Sequence, residues 1–247
     1  MVTSTIHNRS KFTKHPQIFG VGGNFFPPAY KSTALQRHLL SLAGVASPRI
    51  CLLAAANGEN PYDIEVFYHQ MNKHDCRPYH LSTARMITLD YLDYFMSMDI
   101  IYVFGGVTKN LMAIWREWEM IDALRKAWKA GVILSGCSAG SICWFESCIT
   151  DSFPTKMLPL KCTGFLKGSA STHYDARPDR PPTFRSLIAS GEIETPGIAT
   201  DDDTAVHYIG DTLHEVVSAR RGATAYRVER TPDGYSETAL PARYIGD

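Results

Sequence analysis

The segment Val132-Ile133-Leu134-Ser135-Gly136-Cys137-Ser138-Ala139-Gly140-Ser141-Ile142-Cys143-Trp144-Phe145 runs from an apolar strand, through a glycine-flanked serine, into an apolar helical stretch. Residues 132–135 read as a buried strand and residues 139–145 as a helix. Between them Gly136-Cys137-Ser138-Ala139-Gly140 matches G-x-S-x-G, a strand-to-helix bend that lifts its central serine clear of the sheet. So tight a bend crowds the backbone, and Gly136 and Gly140 supply the small flanks it needs. The Ser138 hydroxyl then emerges at the carboxyl edge of the sheet, above a helix N-terminus with free N–H groups and a positive dipole end. That setting suits an attacking oxygen and a developing oxyanion. The plainer alternative is a serine that only caps its helix. Strand before, helix after and position at a sheet edge favour the nucleophile.

Working outward, short apolar runs alternate with amphipathic ones. Strands are expected at 18–21, 49–55, 77–81 and 99–104, and helices at 33–42, 61–73, 87–96 and within 109–129. Residues 49–55 (Arg-Ile-Cys-Leu-Leu-Ala-Ala) are almost continuously apolar, as in a strand covered on both faces. This β-α-β-α order predicts an α/β fold, a parallel sheet covered by helices. After residue 150 prolines and glycines multiply. The short runs 204–208, 213–218 and 224–228 then read as an antiparallel meander completing one edge of the same domain. With no linker and no repeat, the expected organisation is a lead segment over 1–15 and one domain over 16–247.

A serine hydroxyl needs an adjacent base. Of the nine histidines, His173 stands apart. It lies in Ser171-Thr172-His173-Tyr174-Asp175, between a glycine-rich segment and a proline-rich loop, where catalytic groups collect. The base in turn needs a carboxylate to fix its tautomer. Asp151, thirteen positions after Ser138, is the first candidate, with Asp175, Glu192 and the run Asp201-Asp202-Asp203 in competition. An acid so soon after the nucleophile, with the base close behind, does not suit an α/β-hydrolase. For the oxyanion, Ala139 offers one backbone N–H, and the pair Gly105-Gly106 at a strand end offers another. Cys137 could serve an amidotransferase-like site, but the bend's register turns it the wrong way.

Lysines and arginines balance acids at 25 each, which argues against a nucleic-acid or anionic-membrane partner. The first 17 residues lack the apolar core of a signal peptide, and no run reaches the roughly 18 apolar residues of a membrane span. The six cysteines show no metal spacing, which predicts reduced thiols, no metal and a cytoplasmic setting. Gly20-Val21-Gly22-Gly23-Asn24 is a poor dinucleotide turn, because Phe25 stands where the third glycine belongs. Met112, Trp115 and Trp118 at helical spacing are core or interface contacts, which leaves a homodimer open.

At this point the chain resembles the peptidase E family, the S51 serine peptidases that include aspartyl dipeptidase. The resemblance is carried by Ile101-Tyr102-Val103-Phe104-Gly105-Gly106-Val107-Thr108, the segment from Gly136 to Phe145, Thr150-Asp151-Ser152-Phe153, His173-Tyr174-Asp175, Leu187-Ile188-Ala189-Ser190-Gly191-Glu192 and Ala199-Thr200-Asp201-Asp202. It implies a three-layer α/β/α sandwich with a mainly parallel sheet, similar to class I glutamine amidotransferase domains. It implies a serine peptidase with a triad carried by Ser138, His173 and Asp151, with no organic cofactor and no metal. The implied substrates are dipeptides with an N-terminal aspartate, whose side chain pairs with an arginine; Arg180 is the choice, with Arg177 and Arg185 as rivals, and Gly105 lines the same site. Where the family often reads Gly-Gly-Gly-Asn, this chain has Phe104 and Val107 in place of the first glycine and the asparagine. The rival activity is cyanophycinase-like cleavage of β-linked Asp-Arg, and the rival outside catalysis is an inactive binding module.

Overall fold

The computed structural model describes residues 15–23, 25–26, 32–85 and 90–247. The expected lead over 1–15 lies outside these except for His15, as do Asn24 and residues 87–89 of the helix expected at 87–96. The first half alternates β1 (Gln17–Val21), α1 (Ala34–Leu42), β2 (Arg49–Leu53), α2 (Pro61–Met71), β3 (Arg77–Leu81), α3 (Tyr91–Met96) and β4 (Ile100–Val103). Two helices, α4 (Thr108–Glu117) and α5 (Met120–Lys129), lead to β5 (Ile133–Cys137) and the single turn α6 (Ala139–Ile142). Then follow β6 (Phe145–Thr150), β7 (Leu158–Lys161), β8 (Leu166–Thr172), α7 (Arg180–Ser190) and β9 (Gly197–Thr200). The chain closes with β10 (Thr204–Ile209), β11 (Thr212–Ser218), β12 (Ala225–Thr231), β13 (Gly234–Leu240) and β14 (Ala242–Tyr244).

Local chemistry sets several of these boundaries. Pro61 opens α2 and the Asn60 side chain accepts the Tyr62 N–H, the usual entry chemistry of a helix. Of the proline-rich stretch read as a loop over residues 177–183, residues 180–183 are instead the first turn of α7. Pro181 and Pro182 sit where helical N–H groups lack partners anyway, and Gly191, left-handed at φ 77°, ends the helix.

Eight strands form the larger sheet, in the order β14-β11-β10-β1-β5-β4-β2-β3. From β1 to β3 all neighbours are parallel, while β10 runs antiparallel to both β1 and β11. In β2, Ile50 and Leu52 face the core under α1 and α2, and Cys51 and Leu53 face the core under α3, α4 and α5. Burial on both faces explains that strand's unbroken apolar run.

One mainly parallel sheet between helices is the expected arrangement, and the structure corrects it. A second sheet of six strands, β13-β12-β9-β8-β6-β7, packs over one face of the first. Its strands also bury both sides: Cys148 and Ile198 join the inter-sheet core, and Ile149 and Ala199 turn outward to Phe184 and Ile188 of α7. The helix expected over 139–145 therefore stops at Ile142, and Phe145 opens β6. The late meander is likewise divided, with β10 and β11 extending the larger sheet and β12 pairing with β9 in the smaller. The result is an α/β fold with two mixed sheets, and the chain changes sheet directly after Ser138 and again at Asp201-Asp202-Asp203.

Candidate active site

Ser138 links β5 to α6 at φ 52° and ψ −116°, a left-handed conformation that costs a non-glycine residue about 1–3 kcal/mol. The surroundings enforce it. A Cβ on Gly140 would lie 2.1 Å from the Val103 carbonyl oxygen, and one on Gly136 would lie 2.4 Å from that of Gly140. Only glycine lets β4, β5 and α6 meet so closely. The Ser138 N–H donates to the Val21 carbonyl at 3.1 Å, tying the bend to β1. Cys137, one position earlier, points the other way into the α1/α2 core, and burial pushes its thiol up. That orientation removes it as a rival nucleophile.

His173 follows β8, itself left-handed at φ 55°. Its Nε2 lies 2.9 Å from Ser138 Oγ, and its Nδ1 lies 2.6 Å from Asp202 Oδ1. The carboxylate can only accept, so Nδ1 carries the proton and Nε2 presents a lone pair to the serine hydroxyl. Hydroxyl, imidazole and carboxylate thus form one hydrogen-bonded chain.

The acid in contact is Asp202, not Asp151. Asp151 leaves the end of β6 and pairs with Arg177 Nη1 at 3.0 Å and Arg180 Nη2 at 3.3 Å. Burial alone would raise its carboxyl, but Arg180, a backbone N–H and Arg177 together hold it below the usual range. The other acids flank Asp202. Asp175 Oδ1 accepts the Asp202 N–H at 2.9 Å. Arg220 donates to the Asp202 carbonyl at 3.1 Å and to Asp203 Oδ2 at 3.1 Å, and also pairs with Asp175. Asp201 turns inward, its Oδ2 accepting the Thr224 N–H at 3.0 Å. Asp203, at φ 63°, breaks the strand alternation, so only the middle acid of the run meets the imidazole. Glu192 sits at the far end of α7, accepting from Ser190.

One contributor had gone unnoticed in the sequence. A Cβ on Gly23 would fall 2.1 Å from Asp202 Oδ1 and 2.5 Å from His173 Nδ1. The turn after β1, poor as a nucleotide turn, covers the imidazole–carboxylate pair, and its missing side chain is the signal. On the other flank a Cβ on Gly105 would stand 3.2 Å from Ser138 Cβ, so Gly105 lies against the base of the serine side chain. Gly106 continues at φ 141° against the Ala56 carbonyl. Ala139, at the start of α6, has its N–H in the first helical turn, where no carbonyl precedes it.

A sequence profile described as peptidase family S51 matches residues 22–216. The chain belongs to peptidase family S51. An S51 relative, the uncharacterized peptidase YgaJ of Bacillus subtilis (strain 168), is 42% identical over 230 residues, spanning 93% of this chain and 99% of that protein. Among solved structures, a peptidase from an acI-B1 Actinobacterium superposes with a TM-score of 0.69 at 16% identity, covering 92% of this chain and 95% of the other. A putative peptidase E protein from Listeria monocytogenes EGD-e gives 0.60 at 14% identity, covering 81% and 97%. These likenesses carry the fold. Among the described residues no helix is long and apolar enough to cross a membrane.

The three arginines weighed for an S51 substrate carboxylate are all engaged. Arg177 bridges Asp151 and Asp179. Arg185 pairs with Glu237, which also accepts from Tyr174. Arg180 has only 4% of its side chain exposed, and its Nε and Nη1 are buried without a partner.

Proposed function

We propose that this S51 protein is a serine peptidase that hydrolyses short peptides, with Ser138 as nucleophile, His173 as general base and Asp202 as the acid that orients it. The observation that carries this reading is the continuous chain from Ser138 Oγ through both ring nitrogens to Asp202. Ser138 attacks the scissile carbonyl and His173 Nε2 takes its proton. The Asp202 carboxylate stabilises the resulting imidazolium. Backbone N–H groups of Gly106 and Ala139, with Gly105 keeping the approach open, receive the oxyanion. The imidazolium then protonates the leaving amine, and water releases the acyl group by the same route.

The preferred substrate in this reading is a dipeptide with an N-terminal aspartate, recognised by Arg180. Its unpartnered Nε and Nη1 are what support that role, since a guanidinium fork takes a carboxylate through two parallel bonds. The Asp151 carboxylate keeps the fork in place. The likeness of the larger sheet to class I glutamine amidotransferase domains belongs to the same proposal. So does a cytoplasmic setting, which six free thiols support.

A fluorophosphonate probe followed by a panel of Asp-X, Glu-X, Ala-X and β-linked Asp-Arg dipeptides tests the proposal. Wild type should label, Ser138→Ala should not, and Asp-X should turn over fastest. Arg180→Met should remove the preference for Asp-X over Ala-X while labelling persists. Absence of labelling would end the serine reading. Labelling with β-linked Asp-Arg as best substrate would replace the substrate but keep the chemistry.

A further inference from the structure

A second cluster of reactive side chains lies on the α1 face of the larger sheet and shares no residue with the Ser138 site. His207 of β10 and Glu215 of β11 stand directly opposite one another in the antiparallel pair, so their side chains share a face. His38 reaches the same spot from α1. Both imidazoles pack on Phe19, with ring centroids 5.5 and 6.1 Å away. His38 Nε2 lies 3.3 Å from Glu215 Oε1, and His207 Nδ1 lies 3.8 Å from the same oxygen. All three atoms fall within 4.8 Å of one another.

Apart from the Glu215 carboxylate beside them, which neither meets in hydrogen-bonding geometry, both nitrogens lack partners although they are shielded from solvent, and the His207 side chain is only 4% exposed. A buried polar atom without a partner costs about 1–3 kcal/mol. Two such atoms aimed at one carboxylate oxygen call for a common occupant.

The surroundings prepare these atoms as ligands. His207 Nε2 donates to Gln17 Oε1 at 2.9 Å, which fixes the tautomer and leaves Nδ1 with its lone pair. Arg243 holds Glu215 Oε2 through Nη2 at 2.7 Å and Nε at 3.1 Å, which leaves Oε1 to the histidines. Hydrogen bonds that orient ligands in this way accompany most histidine–carboxylate metal sites. Two imidazole nitrogens and one carboxylate oxygen suit zinc and its neighbours, whereas magnesium and calcium ask for oxygen ligands. Bonds of about 2.0–2.2 Å in a tetrahedron place neighbouring ligand atoms roughly 3.3–3.5 Å apart. The two separations from Glu215 Oε1, 3.3 and 3.8 Å, lie close to that spacing.

We propose that His38 Nε2, His207 Nδ1 and Glu215 Oε1 bind a divalent transition-metal ion of the zinc class, with solvent completing its coordination. Glu215 and His38 are 23% and 17% exposed, so the site opens to water on one side. The ion would clamp α1 onto β10 and β11.

The test uses metal-stripped full-length protein under reducing conditions. Zn²⁺ is titrated against a chromophoric chelator, and Co²⁺ is followed by its visible absorption. Wild type should hold one equivalent and show the intense bands of tetrahedral cobalt, and millimolar Mg²⁺ or Ca²⁺ should displace neither ion. Gln17→Ala should weaken binding about ten- to hundredfold, and His38→Ala and Glu215→Gln should each weaken it by at least as much. His38 is only half-buried, so His38→Ala decides the matter even if His207→Ala fails to fold; circular dichroism checks each variant. Stoichiometric Zn²⁺ absent from wild type, or held equally well by folded His38→Ala, would overturn the site.

Discussion

Asp202 shows how a single contact outweighs proximity in the chain. Asp151 follows the serine by thirteen positions, yet β6 carries it to Arg177 and Arg180, while Asp202, which follows α7 and β9 in the chain, meets His173. In a serine–imidazole–carboxylate chain, replacing the acid by its amide leaves the ring in the wrong tautomer and lowers kcat by about ten-thousandfold. Asp202→Asn should therefore lose about that much with KM little changed. Asp151→Asn, which loses its pairs with Arg177 and the buried Arg180 but does not touch the imidazole, should change kcat by less than about tenfold while raising KM for Asp-X. Steady-state kinetics on one dipeptide decide between them; equal losses would return Asp151 to candidacy. The meeting of Ser138 and His173 was legible in the sequence, because a glycine-flanked serine after a buried strand and a histidine before a proline-rich stretch are local signals. The sequence could not choose among Asp201, Asp202 and Asp203. That choice rests on the left-handed backbone of Asp203 and on the grip of Asp175 and Arg220, none of which is written in a run of identical residues.

The acidic turn between β9 and β10 also carries an electrostatic cost. The Asp201 carboxyl is pushed up to about 6, by burial first and then by Asp175 and Asp202, against the pull of the Thr224 N–H and Arg220. Its ordinary value is 3.8. Between those two values the folded protein holds more protons than the unfolded chain, so stability falls as pH rises. This contribution is fully present below 3.8 and is lost as pH passes about 6. Asp201→Asn has nothing to ionise, so its melting temperature relative to wild type should be higher at pH 8 than at pH 4. Calorimetry at both values reads this directly, and an unchanged difference would count against a strained carboxyl. Among the elements, β1, β2, β4 and β5 were legible because each is a short apolar run buried on both sides. Strands β7 and β8 were not, since Pro159, Lys161, Lys167 and Gly168 hide the alternation there. The division of the late strands between two sheets follows from packing partners that no local pattern names.

In the whole molecule, the groups of the proposed triad stand where the chain passes between its two sheets. Ser138 begins the passage from β5 to β6, Asp202 lies in the passage from β9 to β10, and Arg220, which holds the Asp202 carbonyl, lies in that from β11 to β12. His173, at the end of β8, bridges the gap. The site therefore senses the registration of one sheet on the other. Low urea should abolish turnover before the far-UV circular dichroism changes, because a shift of about 1 Å in a reacting group can cost a hundredfold in rate. Coincident transitions by the two measures would show that the sheets separate only on global unfolding. A site assembled at such crossings resists division. A fragment ending before β6 would keep the hydroxyl, the remainder would keep the imidazole and carboxylate, and neither would hydrolyse a peptide alone. Mixing the two halves would restore turnover only to the extent that they rebuilt the seam.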